Sequence, residues 1–286
     1  MKICVLSGKG GAGKTLVAVN LAYVVHDSAY IDCDVEEPNG AIFLKSDILK
    51  RKPVDVKVPE AISERCKGCR KCIQFCKFNA LAFIKNKVTV FPELCHSCGG
   101  CVKACDFGAL KEIERSIGVI EEGVAGDVRF YHGILNHNEP TGVAIIKELL
   151  SSAVHQDKTI IDCPPGCSCS VMESIDGCDF CILVTEPTLF GIHNMNMVYE
   201  LTKLFSIPCG VVINKAITGN HVAHDFCREH NIPILMEIPF SKEIARLSSE
   251  GLIISSKLSD CRQKFLDMHH AMMEVKANEA VSHSQR

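Results

Sequence analysis

No run of apolar residues in this chain of 286 approaches the 18 or more that a membrane-spanning helix needs. Low-complexity tracts are missing too, and the hydrophobic fraction of 47% suits a chain able to bury a core. Charge of one sign is not in excess: 31 Lys and Arg stand against 34 Asp and Glu, a net of −3, which argues against nucleic acid as the main partner. The first residues enter an apolar stretch, Ile3-Cys4-Val5-Leu6, without the charged and apolar regions of an export signal. The expectation is a cytoplasmic protein without membrane insertion, long enough for one α/β domain of about 200 residues plus a smaller module.

Cysteine is what the chain has in excess, 18 in all. Without an export signal they read as metal ligands and small buried hydrophobes, not disulfides, in a reducing compartment. Cys4, Cys33, Cys163, Cys181 and Cys209 fall on or beside apolar runs and read as core. Cys178 and Cys181 make only a lone C-x₂-C across a turn.

Between the first apolar run and the helix formers Leu16 to Val25 lies Ser7-Gly8-Lys9-Gly10-Gly11-Ala12-Gly13-Lys14-Thr15. Gly8 to Thr15 fits G-x-x-x-x-G-K-[ST] at every fixed position, in the order strand, glycine loop, helix. Glycines let successive backbone N–H groups turn toward one centre, where the helix N-terminus adds its dipole. Lys14 is expected to reach the β- and γ-phosphates, and the Thr15 hydroxyl to ligand Mg²⁺. The plainer alternative, a glycine-rich turn with no ligand, does not account for the strand–loop–helix context.

With Lys9 included, the loop reads G-K-G-G-x-G-K-T and resembles that of the MinD/ParA family of P-loop ATPases. The resemblance implies an ATPase, slow without its partner, forming a homodimer or pairing with a similar ATPase. Lys9 would cross to the other subunit's phosphates; a solvated surface lysine is the bland alternative. Ala29 to Asp34 is a short apolar run ending in acids. There the resemblance implies a first switch in which Asp34 polarises the attacking water or holds Mg²⁺, with Asp32 second; an ordinary acidic turn is the alternative. Thr159-Ile160-Ile161-Asp162 delivers a carboxylate to a strand end for Mg²⁺, and Cys163-Pro164-Pro165-Gly166 makes a stiff turn whose Gly166 N–H could sense the γ-phosphate. This is similar to the family's D-x-P-P-G second switch. Asn214 matches the family asparagine that bonds adenine, and the Pro239 loop falls beside the base in relatives. His193 is expected to start a helix or pack, not to catalyse. Cys167 and Cys169, in the second switch, are either loop thiols or a functional pair. The last helix, about Leu258 to Val275, and its polar tail lack the basic amphipathic face of a membrane anchor.

An internal repeat follows the first switch. Cys66, Cys69, Cys72 and Cys76 are matched 29 residues later by Cys95, Cys98, Cys101 and Cys105, each copy C-x₂-C-x₂-C-x₃-C. The repeat resembles the bacterial two-cluster ferredoxin module, in which three close thiolates wrap one cubane and the fourth serves the other. The resemblance implies one [4Fe–4S] cluster on Cys66, Cys69, Cys72 and Cys105, and a second on Cys95, Cys98, Cys101 and Cys76. Lys77 and Asp106 replace the proline that usually follows the fourth cysteine, which touches the turn rather than ligation. Two zinc sites or a metal-free hairpin are the alternatives; zinc wants paired C-x₂-C units separated by a longer loop. His96 is off the ligand pattern.

The expected fold is α/β: a P-loop domain with a mostly parallel sheet and helices on both faces, interrupted by a ferredoxin-like α+β insertion. The boundaries read as 1–58, 59–112 and 113–286, with Lys45 to Val58 an irregular, charged entry to the insertion. Strands are expected from Ile117 to Tyr131, broken by turns at Gly118, Gly123 and Gly126, and a helix over Val143 to Val154. Three functions are open: ATP-gated electron transfer through two clusters to a redox partner, an iron–sulfur or metallocofactor carrier handing its cargo to an assembly partner, or a positioning ATPase with structural clusters. Cofactors on the first are ATP, Mg²⁺ and two [4Fe–4S] clusters.

Overall fold

Short, fully buried apolar strands alternate with helices along most of the chain. The computed structural model describes residues 1–153 and 157–284, with side chains as far as Lys276. The chain begins with β1 (Lys2–Leu6), α1 (Lys14–Val24), β2 (Ala29–Asp32) and α2 (Gly40–Leu44). A long strand, β3 (Asp47–Ala61), leads out to α3 (Lys71–Phe75), β4 (Leu81–Ile84), β5 (Lys87–Val90) and α4 (Gly100–Lys103). An equally long β6 (Leu110–Ala125) returns, followed by β7 (Val128–Leu135), α5 (Val143–Ser152), β8 (Thr159–Asp162) and α6 (Cys169–Ile175). The last elements are β9 (Phe180–Thr185), α7 (Leu189–Leu204), β10 (Cys209–Ala216), α8 (Val222–Glu229), β11 (Ile234–Pro239), α9 (Lys242–Ser249) and α10 (Ser259–Ser284).

Nine strands form one sheet in the order β11-β10-β9-β1-β8-β2-β7-β6-β3. From β11 to β7 every pairing is parallel; β6 and β3 join antiparallel at one edge. The parallel strands read as continuous apolar runs because helices cover both faces. On one face Val17 and Leu21 of α1 pack with Phe265, Met268 and Met272 of α10. On the other, Ile145 and Leu149 of α5, Val171 of α6 and Val198 of α7 form a second core. The mostly parallel α/β sheet is therefore as expected.

Several expectations need correction. Residues Asp47–Ala61 are not irregular but a 15-residue strand. Its charges are matched across the ladder, Lys50 to Glu122, Arg51 to Glu121 and Lys57 to Glu112, and its place at the sheet edge tolerates Pro53 and Pro59. Gly118 and Gly123 lie inside β6, where they pair with Leu135 and Phe130 of β7, and only Gly126 turns. Helix α10 continues to Ser284, into the expected polar tail, and the expected helical end at Val154 lies outside the described residues. Finally, Cys4 is disulfide-linked to Cys178. The turn before β9 brings Cys178 beside β1, with Cα atoms 6.5 Å apart; Cys33, Cys163 and Cys181 are buried thiols as expected and Cys209 is half-buried.

Between β3 and β6 the cysteine repeat folds around a core of its own, built on Cys72, Leu81, Cys101 and Leu110. The hairpin β4–β5 is its only sheet among the described residues.

Candidate functional site

The loop after β1 reaches α1 through Gly13, whose φ of 101° is open to glycine and costly for other residues. A Cβ on Gly13 would also stand 2.1 Å from the Asn214 side-chain nitrogen, so the loop and the end of β10 approach too closely for any side chain. Gly10, Gly11, Gly13, Lys14 and Thr15 line a cleft of about 970 Å³ together with Asp34, Pro164, Pro165 and Ser168. Three strand ends of the sheet thus meet at its C-terminal edge, where open α/β sheets bind ligands.

Lys14 is the cation of this centre. Its Nζ lies 3.3 Å from Asp162 Oδ1 and 3.5 Å from Asp34 Oδ2. Burial alone would lower its pKa, but Asp162, then Asp34 and Asp32, outweigh burial and raise it. Asp32 is fully buried beneath and accepts backbone N–H bonds from Gly40 and Asp34, at 2.8 and 3.1 Å. Burial first, and the nearby Asp162 second, hold Asp32 well above the ordinary carboxylate range. Burial also raises Asp34, against the pull of Lys14. A divalent cation brought in with a nucleotide would relieve this crowding of carboxylates; Thr15 and Asp34 line the cleft there.

Tyr30, which a strand pattern gave no reason to single out, donates its hydroxyl to Asp162 Oδ2 at 3.1 Å. Tyr30→Phe is expected to cost about 1–3 kcal/mol, the penalty of leaving a buried charged acceptor one bond short. Thermal unfolding at neutral pH measures this, and an unchanged midpoint would show the bond to be dispensable.

Lys9 does not point into the cleft. Its Nζ meets Glu186 Oε2 at 2.5 Å, while Lys215 holds Glu186 Oε1. Burial would raise Glu186, but hydrogen bonds from Lys215 and Lys9 outweigh it and lower its pKa. Asn214 and Pro239 are likewise outside the cleft lining. The Asn214 amide donates to the Ala12 carbonyl at 2.8 Å, bracing the loop, and its oxygen accepts from the adjacent Lys215 N–H. Pro239 lines a separate cavity with Lys257 and Phe265. Gly8 abuts Asn194 of α7. The Gly166 N–H is taken by the Ser7 carbonyl at 2.9 Å, tying the second switch turn to the first loop instead of leaving a free donor. His193 is exposed in the second turn of α7, which Thr188 caps, so it neither starts the helix nor packs. Cys167 and Cys169 are exposed beside the cleft. His137, Ile42 and Phe43 also line it; no motif marks them.

The eight repeat cysteines lie around two further cavities. Cys66, Cys69, Cys72 and Cys105 line one of about 20 Å³. Cys76, Cys95, Cys98 and Cys101 line the other, of about 370 Å³. Each cavity therefore takes three cysteines from one copy of the repeat and the fourth from the other. Backbone N–H groups of Ala109 and Ser97 donate to Cys105 and Cys95 Sγ, at 3.2 and 3.4 Å. Burial raises the thiols of Cys72 and Cys95, and that of Cys101 to about 11. Among the described residues no group of three or more Cys, His, Asp or Glu closes on a point where a single ion would sit. His96 stacks on Phe78 with centroids 3.8 Å apart.

Residues 3–254 match the family model described as CobQ/CobB/MinD/ParA nucleotide binding domain. The chain belongs to that nucleotide-binding family. Two uncharacterized proteins of Methanocaldococcus jannaschii are similar along nearly the whole length. One is 31% identical over 281 residues, 96% of this chain and 97% of its own. The other is 26% identical over 258 residues, 88% and 90%. Among solved structures the cell division ATPase MinD of Pyrococcus furiosus shares the fold, with a TM-score of 0.57 at 16% identity, covering 96% of this chain and 98% of that one. MinD of Pyrococcus horikoshii, complexed with Mg-ADP, gives 0.55 at 17% identity and covers 93% of each. Among the described residues no helix is long and apolar enough to cross a membrane.

Proposed function

We propose that this family member is an iron–sulfur ATPase in which the nucleotide state of a dimer gates electron transfer to a redox partner. The observation that carries the reading is the crossed division of the eight cysteines between two cavities. Four thiols around each cavity are the ligand number a [4Fe–4S] cluster takes, the first cavity, of about 20 Å³, having to widen around it, and the donated N–H bonds suit sulfur that carries negative charge. Cys66, Cys69, Cys72 and Cys105 would hold one cluster and Cys95, Cys98, Cys101 and Cys76 the other; each supplies reversible one-electron chemistry when bound.

At the cleft, Lys14 binds the β- and γ-phosphates of ATP, and Thr15 with Asp162 holds Mg²⁺. Asp34 orients the attacking water or completes the metal's shell. Lys9 leaves Glu186 to reach the phosphates of a second subunit, so that ATP and dimer formation support one another. A groove of about 590 Å³ runs from Cys95 and Cys98 to Glu139 and Thr141 before α5; it is the contact through which the nucleotide domain and the second cavity sense each other.

An anaerobic redox titration followed by EPR, with and without MgATP, tests the reading. Linkage is reciprocal, so a tenfold ATP preference for one redox state appears as a shift of about 59 mV per electron. Two clusters with no shift would separate the modules and favour a second reading, a cluster or metallocofactor carrier. The exposed thiols Cys167 and Cys169 beside the cleft are what supports that alternative.

A further inference from the structure

We propose that the face around Cys66, Cys69, Cys72 and Cys105 docks an acidic one-electron carrier protein. This rests on the cluster reading above and extends it, by naming which of the two sites meets the partner and the chemistry of that partner.

Charge separates the cysteine segment from the rest of the chain. Residues 59–112 hold nine Lys and Arg against five Asp and Glu, a net of +4, in a chain whose net charge is −3, so the remainder carries −7. The positive charge of the segment is also left uncompensated where it surrounds the first cavity. On the β3–β6 ladder Lys50, Arg51 and Lys57 each face a glutamate. Around the first cavity stand Lys67, Arg70 and Lys71, all exposed. Lys71 pairs with Asp106, but among the described residues neither Lys67 nor Arg70 has a carboxylate partner. Arg70 lies over the Phe83 ring, 4.9 Å from its centroid. Phe83 belongs to β4, so the β4–β5 hairpin rests against this face and brings two more exposed lysines, Lys85 and Lys87, close by.

The two cavities also differ in what surrounds them. The second shares Cys95, His96 and Cys98 with the groove that runs to Glu139, Thr141 and Val143 of the nucleotide domain. The first is lined only by residues of the cysteine segment. Each cavity has one exposed thiol, Cys69 at the first and Cys98 at the second, and it is Cys69 that stands among the basic Lys67 and Arg70. The first cavity is the outward end and the second the inward end. Exposed cations at the outward end steer an anionic partner and set its orientation, raising association rates by 10–10³ at low salt. The exchange itself needs no other contact: one electron leaves the reduced carrier and one enters the site, with no proton or atom transferred.

The test compares the full-length, anaerobically purified protein with Lys67→Glu/Arg70→Glu and with Lys57→Glu/Lys77→Glu, which changes charge beside the second cavity. The probe is an acidic flavodoxin, labelled for fluorescence anisotropy when oxidised and used as the reductant in stopped flow when reduced. The first variant is expected to bind about tenfold more weakly or worse at low ionic strength and to be reduced correspondingly more slowly. The second variant is expected to stay within about twofold, and the wild-type affinity to fall steeply with added salt. Reduction by a zwitterionic viologen is expected to be the same in all three. Equal flavodoxin binding by all three, or a loss confined to the second variant, overturns the proposal while the clusters, counted as iron and sulfide in the same samples, still stand. Samples without iron and sulfide overturn the cluster reading and the docking proposal with it. A first variant that loses a single-stranded oligonucleotide while keeping the flavodoxin assigns the patch to nucleic acid and also overturns it.

Discussion

Lys14→Ala is expected to lose nucleotide binding and to fall further below the wild type in stability as pH rises. Asp162 and Asp34 lie within 3.5 Å of its ammonium and Asp32 sits buried beneath them. Removing the cation leaves these carboxylates without compensation, a loss of about 3–5 kcal/mol by the measure of broken buried ion pairs. In the wild type the folded pKa of Lys14 is raised. Its stabilisation is therefore complete below the unfolded value of about 10.4 and is lost only as pH climbs through the higher folded one. In the variant Asp32 and Asp34, already raised by burial, lose the opposing pull of Lys14 and rise further. A carboxyl whose folded pKa exceeds its unfolded value of about 3.9 binds its proton more tightly when folded. Stability is then greatest below that value and declines as pH rises through the folded one. Calorimetric melting of both proteins across acid to neutral pH, with MgATP titration at neutral pH, reads both effects. Parallel melting curves would sink the idea that Lys14 holds buried charges together.

The second large effect concerns which cysteines act together. Cys72 and Cys105 are 33 positions apart and line the same cavity, whereas Cys72 and Cys76 share a repeat and line different ones. Cys72→Ser/Cys105→Ser is therefore expected to keep one cluster, about four irons per chain, with one EPR signal left. Cys72→Ser/Cys76→Ser, equally conservative, is expected to lose both. Iron, sulfide and EPR measurements on anaerobic samples separate the cases. The opposite pattern would mean that each copy of the repeat binds its own metal.

The parallel strands were legible because burial on both faces demands unbroken apolar runs, as in Phe180–Thr185. The glycine loop was legible because backbone close to phosphate leaves few choices of residue. Strand β3 was hidden by its lysines and prolines, which mean irregular chain only when the partner strand is unknown; the glutamates of β6 that balance them lie 55 to 72 positions away. The link from Cys4 to Cys178 spans 174 residues and leaves no spacing to read. Nothing in the sequence marks Glu186, 177 positions from Lys9, as the group that holds it. Tyr30 looks like any strand aromatic until the neighbouring strand places Asp162 beside its hydroxyl. Asn214 was placed at adenine by resemblance, yet its amide is spent on bracing the loop at Ala12.

The β3–β6 ladder has a consequence for how such a chain can arise. Ala61 pairs directly with Leu110, so the main chain departs and comes back at adjacent points of one antiparallel ribbon. A two-residue turn could close that ribbon in place of everything between, because hairpin strands need no more than that to reverse direction. The cysteine segment carries a core of its own and claims no strand of the parallel layer. One in-frame event in a gene could therefore add or delete it without disturbing the register of the host sheet, and on the proposed cluster reading a nucleotide-binding ancestor would gain redox chemistry in a single step.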